Sequence, residues 1–127
     1  MPNQVFNPPE LPPAIGPYSW ATRHGKLVFL AGTASIGSDG KVVGSGDIRK
    51  QTEVTLENLK AAVTAAGGSL ANVVKTTVYI DDIANYAGMN EVYRTYFPEA
   101  PPARATLITG FVVPGILVEI EGIAVLD

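Results

Sequence analysis

The spacing of apolar residues changes period several times along the chain, and each change marks an element. Tyr18-Ser19-Trp20-Ala21-Thr22 and Lys26-Leu27-Val28-Phe29-Leu30-Ala31 read as two strands joined through His24-Gly25. Asp39-Gly40 is a short-turn signal, after which Lys41-Val42-Val43 can return as a short third strand. Asp47 offers an N-cap side chain. Behind it Ile48, Thr52, Leu56, Leu59, Val63 and Ala66 recur at steps of three and four, which predicts a helix ended by Gly67-Gly68. Val73-Val74-Lys75-Thr76-Thr77-Val78-Tyr79-Ile80 is β-branched and strand-like, and Asp81-Asp82 caps a second helix running to Phe97, where Pro98 stops it. Two last strands, over residues 105–112 and 116–126, flank Pro114-Gly115.

The order ββ(β)αβαββ predicts an α+β fold, one mixed sheet with both helices on one face. The other sheet face then needs cover, and a second subunit is the natural candidate. The first seventeen residues hold six of the ten prolines, so they predict an extended arm laid down on the fold. The 127 residues are enough for one domain, spanning 1–127, with a sizeable core and no room for a second.

Composition narrows the function classes. The absence of cysteine excludes disulfides, thiolate nucleophiles and Cys-based metal sites. A net charge of −3 and nine scattered Lys and Arg residues argue against nucleic acid, which demands clustered cations. No apolar run approaches the roughly 18 residues of a membrane span. Met1-Pro2-Asn3-Gln4 lacks the basic and apolar regions of a secretory signal, so the expected location is the cytoplasm.

Polar residues at apolar positions are the candidates for function. Asn90 falls within the apolar arc of the second helix formed by Ile83, Tyr86, Met89, Val92, Tyr93, Tyr96 and Phe97. It is either a functional amide or a buried one satisfied by backbone groups. In the last strand, alternation places Glu119 and Glu121 on the face of Leu117, Ile123 and Val125, opposite Val118, Ile120 and Ala124. A strand apolar on both sides is central, and a half-buried carboxylate there suits acid–base work, unless it serves a structural ion pair or lies on an exposed edge. Arg104 opens a strand after Pro101-Pro102-Ala103, where its fork could grip a carboxylate or stand free on the surface. His24, the one histidine, has no second ligand near it, and the glycines between Gly37 and Gly46 lack the pattern of a phosphate loop.

Several segments in order then resemble one family. Ala14-Ile15-Gly16-Pro17-Tyr18, Leu30-Ala31-Gly32-Thr33 and Val74-Lys75-Thr76-Thr77-Val78-Tyr79 are similar to its N-terminal, second-strand and central-strand motifs. Asn90-Glu91-Val92-Tyr93 with Tyr96-Phe97-Pro98 is similar to its second helix. Pro102-Ala103-Arg104-Ala105-Thr106-Leu107 followed by Val118-Glu119-Ile120 resembles its C-terminal signature. This is the Rid (reactive intermediate deaminase), or YjgF-like, family.

The resemblance implies a chorismate-mutase-like fold and a homotrimer with active sites between subunits. It implies no cofactor and no metal. The implied reaction is hydrolysis of enamine and imine acids such as 2-aminoacrylate, 2-iminopropanoate and 2-iminobutanoate to 2-keto acids and ammonia. Arg104 matches the family's carboxylate-binding arginine and Glu119 the acid that positions water. Tyr18 and Asn90 match pocket-lining residues, and Gly32 matches a backbone position approaching the ligand. Ala31 and Thr106 depart from the serine and cysteine of the best-known members, although Thr106 keeps a backbone N–H for a carboxylate. Three alternatives stay open: a pathway-specific deaminase of a 2-aminomuconate-like dicarboxylate, an endoribonuclease, and a non-catalytic metabolite-binding trimer.

Overall fold

The computed structural model describes residues 3–127, so Met1 and Pro2 of the proline-rich arm lie outside the described residues. Among the described residues six strands form one sheet: β1 (Gln4–Phe6), β2 (Ala21–His24), β3 (Leu27–Ala34), β4 (Val73–Ile80), β5 (Ala103–Ile108) and β6 (Val118–Val125). Their spatial order is β1-β2-β3-β6-β4-β5. Neighbours run antiparallel except β4 and β5, which are parallel because a helix carries the chain back between them. That helix is α2 (Tyr86–Tyr96), and the longer α1 (Ile48–Ala65) links β3 to β4. The architecture is the expected α+β one, a mixed sheet with two helices on one face.

The helix-bearing face carries the core. Val28 and Leu30 of β3, Val78 and Ile80 of β4, and Val118, Ile120 and Ala124 of β6 meet Leu56, Leu59 and Val63 of α1, all of them buried. Asp47 caps α1 by accepting from the Lys50 N–H at 3.0 Å, and Gly67 at φ +100° ends it in a conformation that glycine adopts without strain.

Two buried amides reach from α1 into the loops around it. The Gln51 side chain donates to the carbonyls of Gly44 (3.2 Å) and Gly115 (2.9 Å) and accepts from the Leu117 N–H (2.8 Å). Asn58, seven residues on and so on the same side of the helix, donates to the carbonyls of Ala34 and Ile36, each at 2.9 Å. These bonds fix the end of β3 and the start of β6.

Several boundaries differ from expectation, each for a local reason. The arm contributes a strand, β1, that its prolines concealed, since the pairing lies in the proline-free Gln4–Phe6. The segment from Tyr18 joins the sheet only at Ala21, because the Trp20 N–H is taken by the Asn7 side chain at 3.0 Å. Lys41-Val42-Val43 makes a single bridge, Ile36 to Val42, and not a strand. Asp82 caps a short 3-10 turn, Ile83–Asn85, by accepting from the Ala84 N–H, and α2 starts only at Tyr86. β5 begins two residues earlier than expected and stops at Ile108, opposite Ile80, where its partner strand ends. β6 spans Val118–Val125, shorter than 116–126 at both ends.

Replacing Gln51 by Met keeps the volume but leaves the Leu117 N–H and the Gly115 carbonyl without their partners, and leaves the Gly44 carbonyl only the Asp47 N–H. The expected loss of stability is about 3 kcal/mol, read from chemical denaturation. A loss below about 0.5 kcal/mol would show that the bracing adds little to the fold.

Candidate functional site

The sheet register sorts the candidate residues into two groups. Arg104 lies opposite Thr76, and Thr106 opposite Val78, so both share the helix-bearing face. Glu119 lies opposite Tyr79 and Glu121 opposite Thr77, on the other face, which no helix among the described residues covers.

The first group gathers around Arg104. Its guanidinium carbon stands 4.8 Å from the centre of the Tyr93 ring and 5.8 Å from that of Tyr86, and Nη2 donates to the Tyr86 hydroxyl at 3.2 Å. Tyr93 is itself held, its hydroxyl 2.7 Å from that of Thr76 on β4. Aromatic faces orient the planar fork without neutralising it, and among the described residues no carboxylate makes an ion pair with it. Asn90 is half-buried one turn along α2 from Tyr86. Its side chain, and after it the Arg104 charge, hold the Tyr86 hydroxyl below the ordinary tyrosine pKa.

The second group lines a cleft of about 510 Å³ that includes Tyr18, Trp20, Ala31, Gly32 and Glu119. Tyr18 packs edge-on against Trp20, ring centres 5.3 Å apart, and the Trp20 indole N–H is anchored on the Pro12 carbonyl at 2.8 Å. The Glu119 carboxyl lies directly over Gly32: a Cβ there would stand 2.7 Å from Oε2. Only glycine on β3 gives the acid this position. Burial first, and the neighbouring Glu121 second, push the Glu119 carboxyl above its ordinary pKa. Glu121 in turn accepts from the Tyr79 hydroxyl.

The structure therefore brings Asn90, Arg104 and Thr106 to one face, and Tyr18, Gly32 and Glu119 to the other. Tyr86 and Tyr93 were missed as functional neighbours because they sit in the apolar arc of α2 and look like core. Of that arc Met89 and Tyr93 are buried within the helix, whereas Ile83, in the preceding turn, is exposed. His24 is exposed at the end of β2, and no cluster of metal-ligating side chains occurs among the described residues. No helix among them is long and apolar enough to cross a membrane.

The sheet thus carries an acid on one face and, on the other, an arginine that makes no ion pair among the described residues. The family model described as Endoribonuclease L-PSP matches residues 9–126. A RutC family protein of Pyrococcus abyssi is 41% identical over 124 residues, 98% of each chain. The 3-aminoacrylate deaminase RutC of Acinetobacter baylyi is 37% identical over 124 residues, again 98% of each. The crystal structure of E. coli TdcF with bound serine aligns with a TM-score of 0.90 at 33% identity, covering 98% of this chain and 99% of that one. The chain belongs to this family, the Rid or YjgF-like proteins.

The raised Glu119 pKa makes a signed prediction for the isolated chain. A carboxyl whose folded pKa lies above its unfolded value favours folding fully below the unfolded pKa, and that contribution is lost as pH rises through the folded pKa. Glu119→Gln should therefore gain stability relative to wild type on going from acid to neutral pH. Urea midpoints for both chains at about pH 4 and pH 7 test this. A constant difference would mean that Glu119 titrates as a solvated acid.

Proposed function

We propose that this protein is a hydrolytic deaminase of enamine and imine acids, yielding 2-keto acids and ammonia, and that its active site forms between copies of the chain. The observation that carries the reading is the pairing of an oriented, uncompensated arginine with a half-buried, glycine-seated acid. Their position on opposite faces of one sheet supports assembly: Arg104 of one copy can meet Glu119 of another, and not that of its own chain. Leu27, Phe29 and Val125 expose 40–47% of their surface on the uncovered face, which supports burial against further copies, and a homotrimer closes the arrangement. The relative named a 3-aminoacrylate deaminase and the neighbour holding serine support a small carboxylate ligand.

In this mechanism Arg104 binds the substrate carboxylate through two parallel hydrogen bonds, with its plane set by Tyr93 and Tyr86. β5 is an edge strand, so the backbone at Thr106 can add an N–H to the carboxylate. The enamine tautomerises to the imine, its carbon taking a proton as its nitrogen gives one up. Water held by Glu119 adds to the C=N carbon, giving up one proton to the carboxylate. Glu119 returns that proton to nitrogen, which gives the amino alcohol; the hydroxyl proton then passes through Glu119 to the nitrogen, the C–N bond breaks, ammonia leaves, and the C–O bond becomes the ketone C=O. The electrophile is already activated, so positioning and one acid–base group suffice. Asn90 and Tyr18 line the two sides of the substrate.

Arg104→Lys keeps the charge and loses the fork, so both Arg104→Lys and Arg104→Ala should lose most turnover while staying folded. Glu119→Gln should still bind 2-keto acids while its turnover falls roughly 10²–10⁴-fold. The assay generates 2-aminoacrylate with a serine dehydratase and follows the extra rate of pyruvate release. Wild-type rates in Arg104→Ala would overturn the carboxylate contact.

A further inference from the structure

We propose that Tyr86 is a positioning residue: by holding one hydrogen of Arg104 Nη2 it closes one of the two carboxylate-binding edges of the guanidinium, so that substrate binds in a single orientation. The proposal rests on the deaminase reading and specifies how that same site aligns its substrate.

A guanidinium carries five N–H groups, and they form two edges on which a pair points the same way: Nε with Nη2, and Nη1 with Nη2. Nη2 serves both edges, with one hydrogen for each. In Arg104 it is Nη2 that donates to the Tyr86 hydroxyl, at 3.2 Å. That one bond removes one edge and leaves the other with both of its donors.

The ring faces and the hydroxyl do different work. Tyr93 lies with its ring centre 4.8 Å from the guanidinium carbon and its hydroxyl 2.7 Å from that of Thr76, so it is a fixed platform for the plane of the fork. A platform sets the plane and leaves the direction within it free. The Tyr86 hydroxyl sets that direction, and it is the acceptor of the bond because arginine has only donors. Asn90, one turn along α2, is the leading cause that holds the Tyr86 hydroxyl below its ordinary pKa, the effect of a donor facing the phenol oxygen. Both supports come from α2 of the same chain as Arg104.

The chemistry needs this alignment. The two edges face different directions in the plane of the group, so a carboxylate moved from one to the other swings the imine carbon by several times its own radius. Water held by Glu119 of another copy meets that carbon in one of the two positions only. A misplacement of about 1 Å already costs on the order of 10²-fold in rate. A carboxylate on the second edge is bound and unreactive.

Tyr86→Phe keeps the ring and removes the acceptor, which reopens the closed edge, and at this exposed position it costs the fold little. Substrate then divides between a reactive and an unreactive mode. With edges of equal affinity, kcat and KM should each fall about twofold, so that kcat/KM stays close to wild type. The substrate is 2-iminopropanoate generated at graded rates from alanine by an amino-acid oxidase, with release of pyruvate and ammonia measured above the spontaneous rate. The Kd of pyruvate from calorimetry should also fall about twofold, although a hydrogen bond has been deleted. Crystals of the full-length protein soaked with pyruvate should show one carboxylate orientation on Arg104 in wild type, with the Tyr86 contact kept, and two in Tyr86→Phe.

A Kd or KM that rises in Tyr86→Phe would overturn the proposal, because Tyr86 would then bind substrate itself or merely prop the fold. Two orientations already present in wild type, or one in both proteins, would overturn it as well. One orientation in wild type and two in the variant, with no imine turned over by either, would support the edge assignment and remove the deaminase.

Discussion

Hydrogen bonding of β6 to β3 on one side and to β4 on the other places the last strand at the centre of the sheet, and the site depends on that placement. A central strand has no edge at which to expose a charge, so alternation forces each side chain either into the helix-covered core or onto the open face. Val118, Ile120 and Ala124 take the core, which commits Glu119 and Glu121 to the other side. A carboxylate there, between flanking strands and over Gly32, is partly desolvated without being sealed in. That environment raises its proton affinity while leaving it reachable.

The arginine is positioned by a different device. β4 and β5 are parallel, their register puts Arg104 beside Thr76, and Thr76 holds the hydroxyl of the tyrosine on which the guanidinium rests. A hydrogen bond, an aromatic face and a planar cation thus form one chain from the sheet to the guanidinium. An acid in place of the tyrosines would orient the guanidinium equally well but would occupy its donors. The same helix face that fills the core with Met89 supplies this support, so core packing and the seat of Arg104 share α2.

Legibility in the sequence followed the physics of each element. α1, β4 and β6 were plain because long runs with period near four or two leave little room for another reading, and the face of Glu119 came with them. β1 was hidden because three residues between polar and proline neighbours carry no period. The start of α2 was misplaced because Asp82 caps a 3-10 turn with the chemistry used to cap an α-helix. Asn90, Arg104 and Glu119 were visible as polar residues out of pattern and through resemblance. Tyr86 and Tyr93 were not, because an aromatic that orients a cation and one that fills a core have the same helical spacing. The assignment of Arg104 and Glu119 to opposite faces needed strand register, which is a long-range property that no local pattern contains.

The central claim is that a working site takes Arg104 from one copy and Glu119 from another. Chains carrying Arg104→Ala and chains carrying Glu119→Gln, each inactive alone, can be denatured together in equal amounts and refolded as mixed oligomers. If sites lie between copies of a cyclic trimer, random mixing makes about a quarter of them intact, and deaminase activity should return to about a quarter of wild type. Activity that stays at the level of the separate variants, with mixed oligomers demonstrated by mass spectrometry, would contradict the account.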